Sequence, residues 1–68
     1  MSINIENMTY AYVAIFNNNN ALICNDNYKE PVPVSANVAK TFVQDCRNLG
    51  LRKISEVHNN GDTTIWYN

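Results

Sequence analysis

The chain of 68 residues reads as a small α+β domain of ββαββ order, an antiparallel sheet with one amphipathic helix packed on one face. Three observations predict it. A β-branched and aromatic run, Thr9 to Phe16, is followed by four consecutive asparagines. A segment with apolar residues at helical spacing lies between Ser35 and Gly50. Near the C-terminus, Asn60-Gly61 separates two more strand-like segments.

The first strand covers 9–16, because β-branched and aromatic side chains fit a pleated, half-buried surface. Ile3 and Ile5 alternate with polar residues, so the strand can begin earlier, with a break near Asn7. Asn17 to Asn20 form a hairpin loop, since asparagine tolerates the left-handed region and bonds its own backbone. Ala21 to Asn25 return as the second strand. Residues 26–34 are expected to be a connector: Pro31 and Pro33 each lack a donor and restrict the residue before them, which excludes helix and central strand. Ser35 then caps a helix over about 36–49 by accepting from an orphan first-turn N–H. Val38, Ala39, Phe42, Val43, Cys46 and Leu49 line its apolar face, opposite Asn37, Lys40, Thr41, Gln44 and Asn48. Gly50 suits the left-handed position after the helix, with Leu51 packing back. Arg52–Asn59 and Asp62–Tyr67 are the last strands. Asn60-Gly61 joins them through a type I′ turn, which needs positive φ at both positions.

A chain this short makes one domain with a thin core. Its core supplies no more than roughly 3–5 kcal/mol, so a disulfide, a metal or a second chain is the usual supplement. Cys24 and Cys46 with the single His58 cannot make a four-ligand zinc site, and no cofactor is expected. Two cysteines in apolar segments are read as small core residues rather than a bridge. The first ten residues contain no basic side chain and no apolar signal core, and the longest apolar run, Tyr10–Phe16, is too short to span a bilayer. The expected location is therefore the cytoplasm.

Asparagine is over-used, together with Ile and Tyr, and an AT-rich genome is its simplest cause. In composition, though in no motif, the chain resembles the small accessory proteins of bacteriophages. That resemblance implies an inhibitor or modulator of a host complex, a form of host defence evasion.

Functional expectations follow from the sheet. One helix covers one face, yet neither face of the first strand is polar: Ala11, Val13 and Ile15 alternate with Tyr10, Tyr12, Ala14 and Phe16. The aliphatic face is expected against the helix. An aromatic face of Tyr10, Tyr12 and Trp66 is expected to meet a partner, with a second copy as the first candidate. Net charge is −1, but all five basic residues, Lys29, Lys40, Arg47, Arg52 and Lys53, fall in 29–53 with only Glu30 and Asp45, a local +3. Most such charges at a helix C-terminus complement its dipole. The expected function is thus a non-enzymatic protein-binding module, a homodimer, that acts by surface occlusion. Its contact residues are Tyr10, Tyr12 and Trp66, with Lys40, Arg47, Arg52 and Lys53 meeting an acidic neighbour. The runner-up is a nucleic-acid-binding domain that stacks bases on the same aromatics. A Cys–His nucleophilic pair is rejected because periodicity turns Cys46 into the core.

Overall fold

A five-stranded antiparallel sheet carries the chain, and the computed structural model describes residues 3–68. The elements are β1 (Ala11–Ile15), β2 (Asn20–Asn25), β3 (Val32–Ser35), α1 (Ala36–Asn48), β4 (Lys53–Asn59) and β5 (Asp62–Tyr67). In space the strands run β3-β2-β1-β5-β4, so the two hairpins meet along β1 and β5. The expected α+β class and its ββ-α-ββ order hold, with one addition. The segment expected to be only a connector contains β3, which pairs Val32 with Ile23 through Ser35 with Asn20.

Proline excludes a central strand but permits an edge, and β3 is an edge. The Ala36 N–H donates to the Asn19 carbonyl at 2.9 Å. Antiparallel ladders alternate, so counting back by twos makes Val34 and Val32 bond β2 and turns Pro33 outward. There its missing donor costs nothing.

Each local signal has its physical counterpart. The Ser35 side chain accepts from the Val38 N–H at 3.3 Å, which begins the helix. Leu51 donates to the Cys46 carbonyl and Gly50 to that of Arg47, both at 3.0 Å, with Gly50 at φ +84°, which ends it. The helix stops one residue before the expected end. Leu49 becomes the cap residue and is exposed rather than on the apolar face, while Ala36 is buried in the first turn. The turn at Asn60 and Gly61 has φ of 53° and 86°, as type I′ requires.

The core lies between α1 and the sheet. Ala11, Val13, Ala21, Ile23, Ile65 and Tyr67 face Ala39, Phe42 and Cys46. Residues 3–10 form no strand. They lie as a strap that turns at Asn7 (φ 52°), buries Met8 and packs Ile3 and Ile5 against the same core.

The 25–28 turn holds this strap. Asn25 is fully buried, with its side-chain N–H donating to the Asn4 carbonyl at 2.9 Å and its oxygen accepting from the Asn27 N–H at 2.8 Å. Asn27 donates to the Glu6 carbonyl at 2.9 Å, and the Tyr28 hydroxyl accepts from the Asn4 N–H at 2.7 Å. Every buried side-chain N or O among the described residues has a partner.

Phe42 is the largest fully buried side chain. Phe42→Ala is expected to cost about 3–5 kcal/mol, comparable to all the net stability of so small a domain. Phe42→Leu should still fold. Urea denaturation followed by far-UV circular dichroism compares them, and an unchanged midpoint in the alanine variant would place the core elsewhere.

Candidate functional site

Pleating sends Tyr12 and Ala14 of β1, Leu22 and Cys24 of β2, Thr64 and Trp66 of β5 and Val57 of β4 to the face away from α1. Register then builds this face row by row. Tyr12 lies between Cys24 and Trp66, and Ala14 between Leu22 and Thr64, with Val57 beyond Thr64. The Tyr12 and Trp66 rings meet edge to face, centroids 5.2 Å apart at 67°. Such a pair contributes about 0.5–1.5 kcal/mol beyond its buried area, so it holds both rings in place. Trp66 nevertheless stays 38% exposed and Val57 50%.

Tyr10 precedes β1 and joins this surface through its hydroxyl, which stands beside the Cys24 thiol. Partial desolvation, that thiol and the Asp26 carboxylate raise the phenol above its ordinary pKa. Asp26 fixes the local backbone. It accepts from the Thr9 hydroxyl at 2.5 Å, the Thr9 N–H at 2.8 Å and the Tyr10 N–H at 3.1 Å. These bonds, the Thr9 hydroxyl first, draw its carboxyl down from 3.8 to about 2.

The basic residues lie elsewhere. Lys40 and Arg47 are exposed on α1, on the opposite side of the sheet from the aromatic pair. Arg52 exchanges two backbone bonds with Asn68, and Lys53 pairs with Glu56 at 2.8 Å. Lys29 is exposed in the β2–β3 loop. The structure thus brings Tyr10, Tyr12 and Trp66 together and separates them from the helix cations.

Both cysteines are free, Cys46 in the core and Cys24 half-buried on the far face, so the sheet stands between them. Burial, with Asp45 nearby, pushes the Cys46 thiol up to about 11, which keeps it protonated and unreactive. Sequence reasoning missed a different line of groups. The Thr63 hydroxyl lies 3.1 Å from His58 Nδ1, and His58 Nε2 lies 2.6 Å from a Glu56 carboxylate oxygen. Counting out from the Asn60-Gly61 turn pairs His58 with Thr63 and would have found it.

Hydroxyl, imidazole and carboxylate in a row are the groups that nucleophilic catalysis uses, but the setting is wrong for it. The His58 side chain is 63% exposed on a strand surface, and Lys53 binds the other oxygen of Glu56. Together Lys53 and His58 hold the Glu56 carboxyl below its ordinary pKa. Activating a threonine needs a dry site with donors for the developing oxyanion, so the row is a cross-strand tie. Among the described residues no group of three or more His, Cys, Asp or Glu could hold a metal ion. Among them, too, no helix is long and apolar enough to cross a membrane.

Comparison with protein-family models, with curated proteins and with solved structures finds no match to this chain.

The Asp26 carboxylate contributes stability that is present above its ordinary value of 3.8 and is lost as pH falls toward 2. In Asp26→Asn this dependence should disappear, giving a flatter profile of urea midpoint against pH over that window. Carbon-detected NMR titration of the wild-type carboxyl is expected to show the depressed midpoint directly; a midpoint near 3.8 would remove the Thr9 tie.

Proposed function

We propose that the protein is a small non-enzymatic binding module that occupies a surface of another protein, with Tyr12 and Trp66 as its anchor. The observation that carries this reading is the edge-to-face ring pair, held rigid yet left partly exposed on a sheet face with no helix over it. Leu22, Cys24 and Val57 extend the apolar area around it, and Tyr10 adds a polar tip at its rim. Rigid aromatics lose little entropy on docking, and Trp and Tyr dominate measured interface energetics. The mechanism is occlusion. A partner pressed against this face loses access to its own surface, as an inhibitor of a host complex made by a phage would require.

Arg52 and Lys53 precede the bulge that enters β4, and Lys40 and Arg47 ride on the helix. They would act on an acidic neighbour around the domain rather than in the aromatic contact itself. This separation also counts against the nucleic-acid alternative, in which stacking aromatics and phosphate-binding cations share one groove.

Trp66→Ala should weaken partner binding by about 2 kcal/mol or more, roughly thirtyfold, and Tyr12→Ala comparably, without loss of fold. The test is affinity capture by the wild type and both variants from nuclease-treated lysate, with circular dichroism as the folding control. A captured protein that both variants lose supports the reading. Capture that ignores both substitutions overturns it, and binding that vanishes with nuclease and falls steeply with salt transfers the face to nucleic acid.

A further inference from the structure

The two edges of the sheet are unlike. β3 is four residues long and turns Pro33 outward, so it offers a broken row of donors. β4 is seven residues long and contains no proline. Its outward groups follow from the ladder. Arg52 and Asn68 exchange both backbone bonds at 3.0 and 2.9 Å, so Trp66, Thr64 and Asp62 are the β5 residues that bond β4. Their partners are Ser55, Val57 and Asn59. The N–H and C=O of Glu56 and His58 therefore point outward, with no strand among the described residues to receive them.

We propose that β4 is a self-association edge, and that two copies pair antiparallel through it about a two-fold axis at Val57. The register follows by elimination. Antiparallel partners must both face outward or both inward, so the axis passes through a residue and never between two. An axis at Glu56 sets the two carboxylates against each other, which like charges oppose. An axis at Ser55 sets Ile54, the bulged residue, against Glu56. An axis at His58 drives the ladder into the Asn60-Gly61 turn.

At Val57 every pair is compatible. Glu56 faces His58 of the copy twice over, Ser55 faces Asn59, and Val57 meets Val57. Acid and imidazole already pair within one chain at 2.6 Å, so the copy repeats a contact the side chains favour. Val57 is also the midpoint between the bulge at Ile54 and the turn at Asn60, so this register uses the whole uninterrupted strand.

Access is open. The helix packs on β1, β2 and β3, away from β4. The copy would join the two five-stranded sheets into one and carry both aromatic faces on the same side. This pairing stands on edge geometry alone and does not rest on the partner proposed above. A ladder this short makes a small interface, of the weak and concentration-dependent kind.

Sedimentation velocity from about 10 μM to about 1 mM protein should show a monomer–dimer equilibrium in the wild type. His58→Pro removes an outward donor and leaves the β4–β5 bonds intact, so it should be monomeric throughout. Should that variant not fold, Glu56→His sets imidazole against imidazole and should weaken the dimer, while Glu56→His with His58→Glu restores it. In a Cys24→Ser background, Val57→Cys should form a symmetric disulfide under mild oxidation, because non-bonded antiparallel pairs lie about 4.5 Å apart at Cα. Ser55→Cys should not. A wild type that stays monomeric, a dimer that survives both His58→Pro and the single swap, or equal cross-linking at positions 55 and 57 would overturn the proposal. So would a dimer lost only in Trp66→Ser, which would locate self-association on the aromatic face.

Discussion

One helix cannot cover five strands, and the rest of this molecule is arranged around that mismatch. A helix with its side chains is about 10–12 Å across. Strands lie about 4.8 Å apart, so a helix shields two or three of them. Here α1 lies over β1, β2 and β3, and the fully buried side chains Val13, Ile23 and Phe42 mark where the cover is complete. β5 receives shelter through Ile65 and Tyr67, whose side chains reach the core from the next strand. Nothing is left for β4, and six of its seven residues are exposed. The surfaces that invite function are the direct remainder of this geometry: the far face of the sheet and its uncovered edge.

The same mismatch gives the asparagines a role. A chain with a thin core and free cysteines needs other ways to fix its ends. It uses side-chain amides that bond backbone: Asn25 and Asn27 hold the strap, and Asn17 donates to the Asn60 carbonyl at 3.2 Å while its own N–H bonds Asp62 at 2.9 Å. That last pair ties the two hairpin loops together. Asn7, Asn19 and Asn60 supply positive φ where no glycine is present. An unpaired buried amide would cost about 1–3 kcal/mol, so the satisfied state of Asn25 matters as much as any one apolar contact. Abundance alone assigns asparagine no role; its positions show what the fold does with it.

Signals confined to one turn of chain were legible in the sequence. Ser35, Gly50 and Asn60-Gly61 each specify a single local backbone state, and the alternation in β1 separates Val13 from Tyr12 without knowledge of neighbours. What escaped depends on residues far apart. β3 was hidden because Pro33 within it and Pro31 just before it argue against pairing, and only its place at the edge, set by sheet order, resolves the conflict. The strap was hidden because Ile3 and Ile5 alternate as a strand does, while the carbonyls of Asn4 and Glu6 are held by turn amides more than twenty residues away. Leu49 was misplaced because helical spacing does not say on which residue the Gly50 motif closes. The candidate surface was half legible. Its aromatics and the face the helix takes both follow from strand parity, but the register that seats Tyr12 between Cys24 and Trp66 requires the strand order.

Edge strands are usually defended, so the charges on β4 need an account. A defended edge works by repulsion or by shape. Like charges repel a copy in every register, and a proline or bulge removes the template. β3 is defended in this sense by Pro33. β4 has a bulge only at its start, and its outward residues, Glu56 and His58, are two apart and chemically complementary. An arrangement of that kind rejects the register that aligns acid with acid and accepts the one that aligns acid with imidazole. It selects a partner where a row of lysines would exclude all partners. The proposed two-fold contact would consume the edge it uses, because each β4 would be covered by the other. With Pro33 on the opposite side, the sheet joined in this way would present no second edge of the same kind, and growth would stop at two chains.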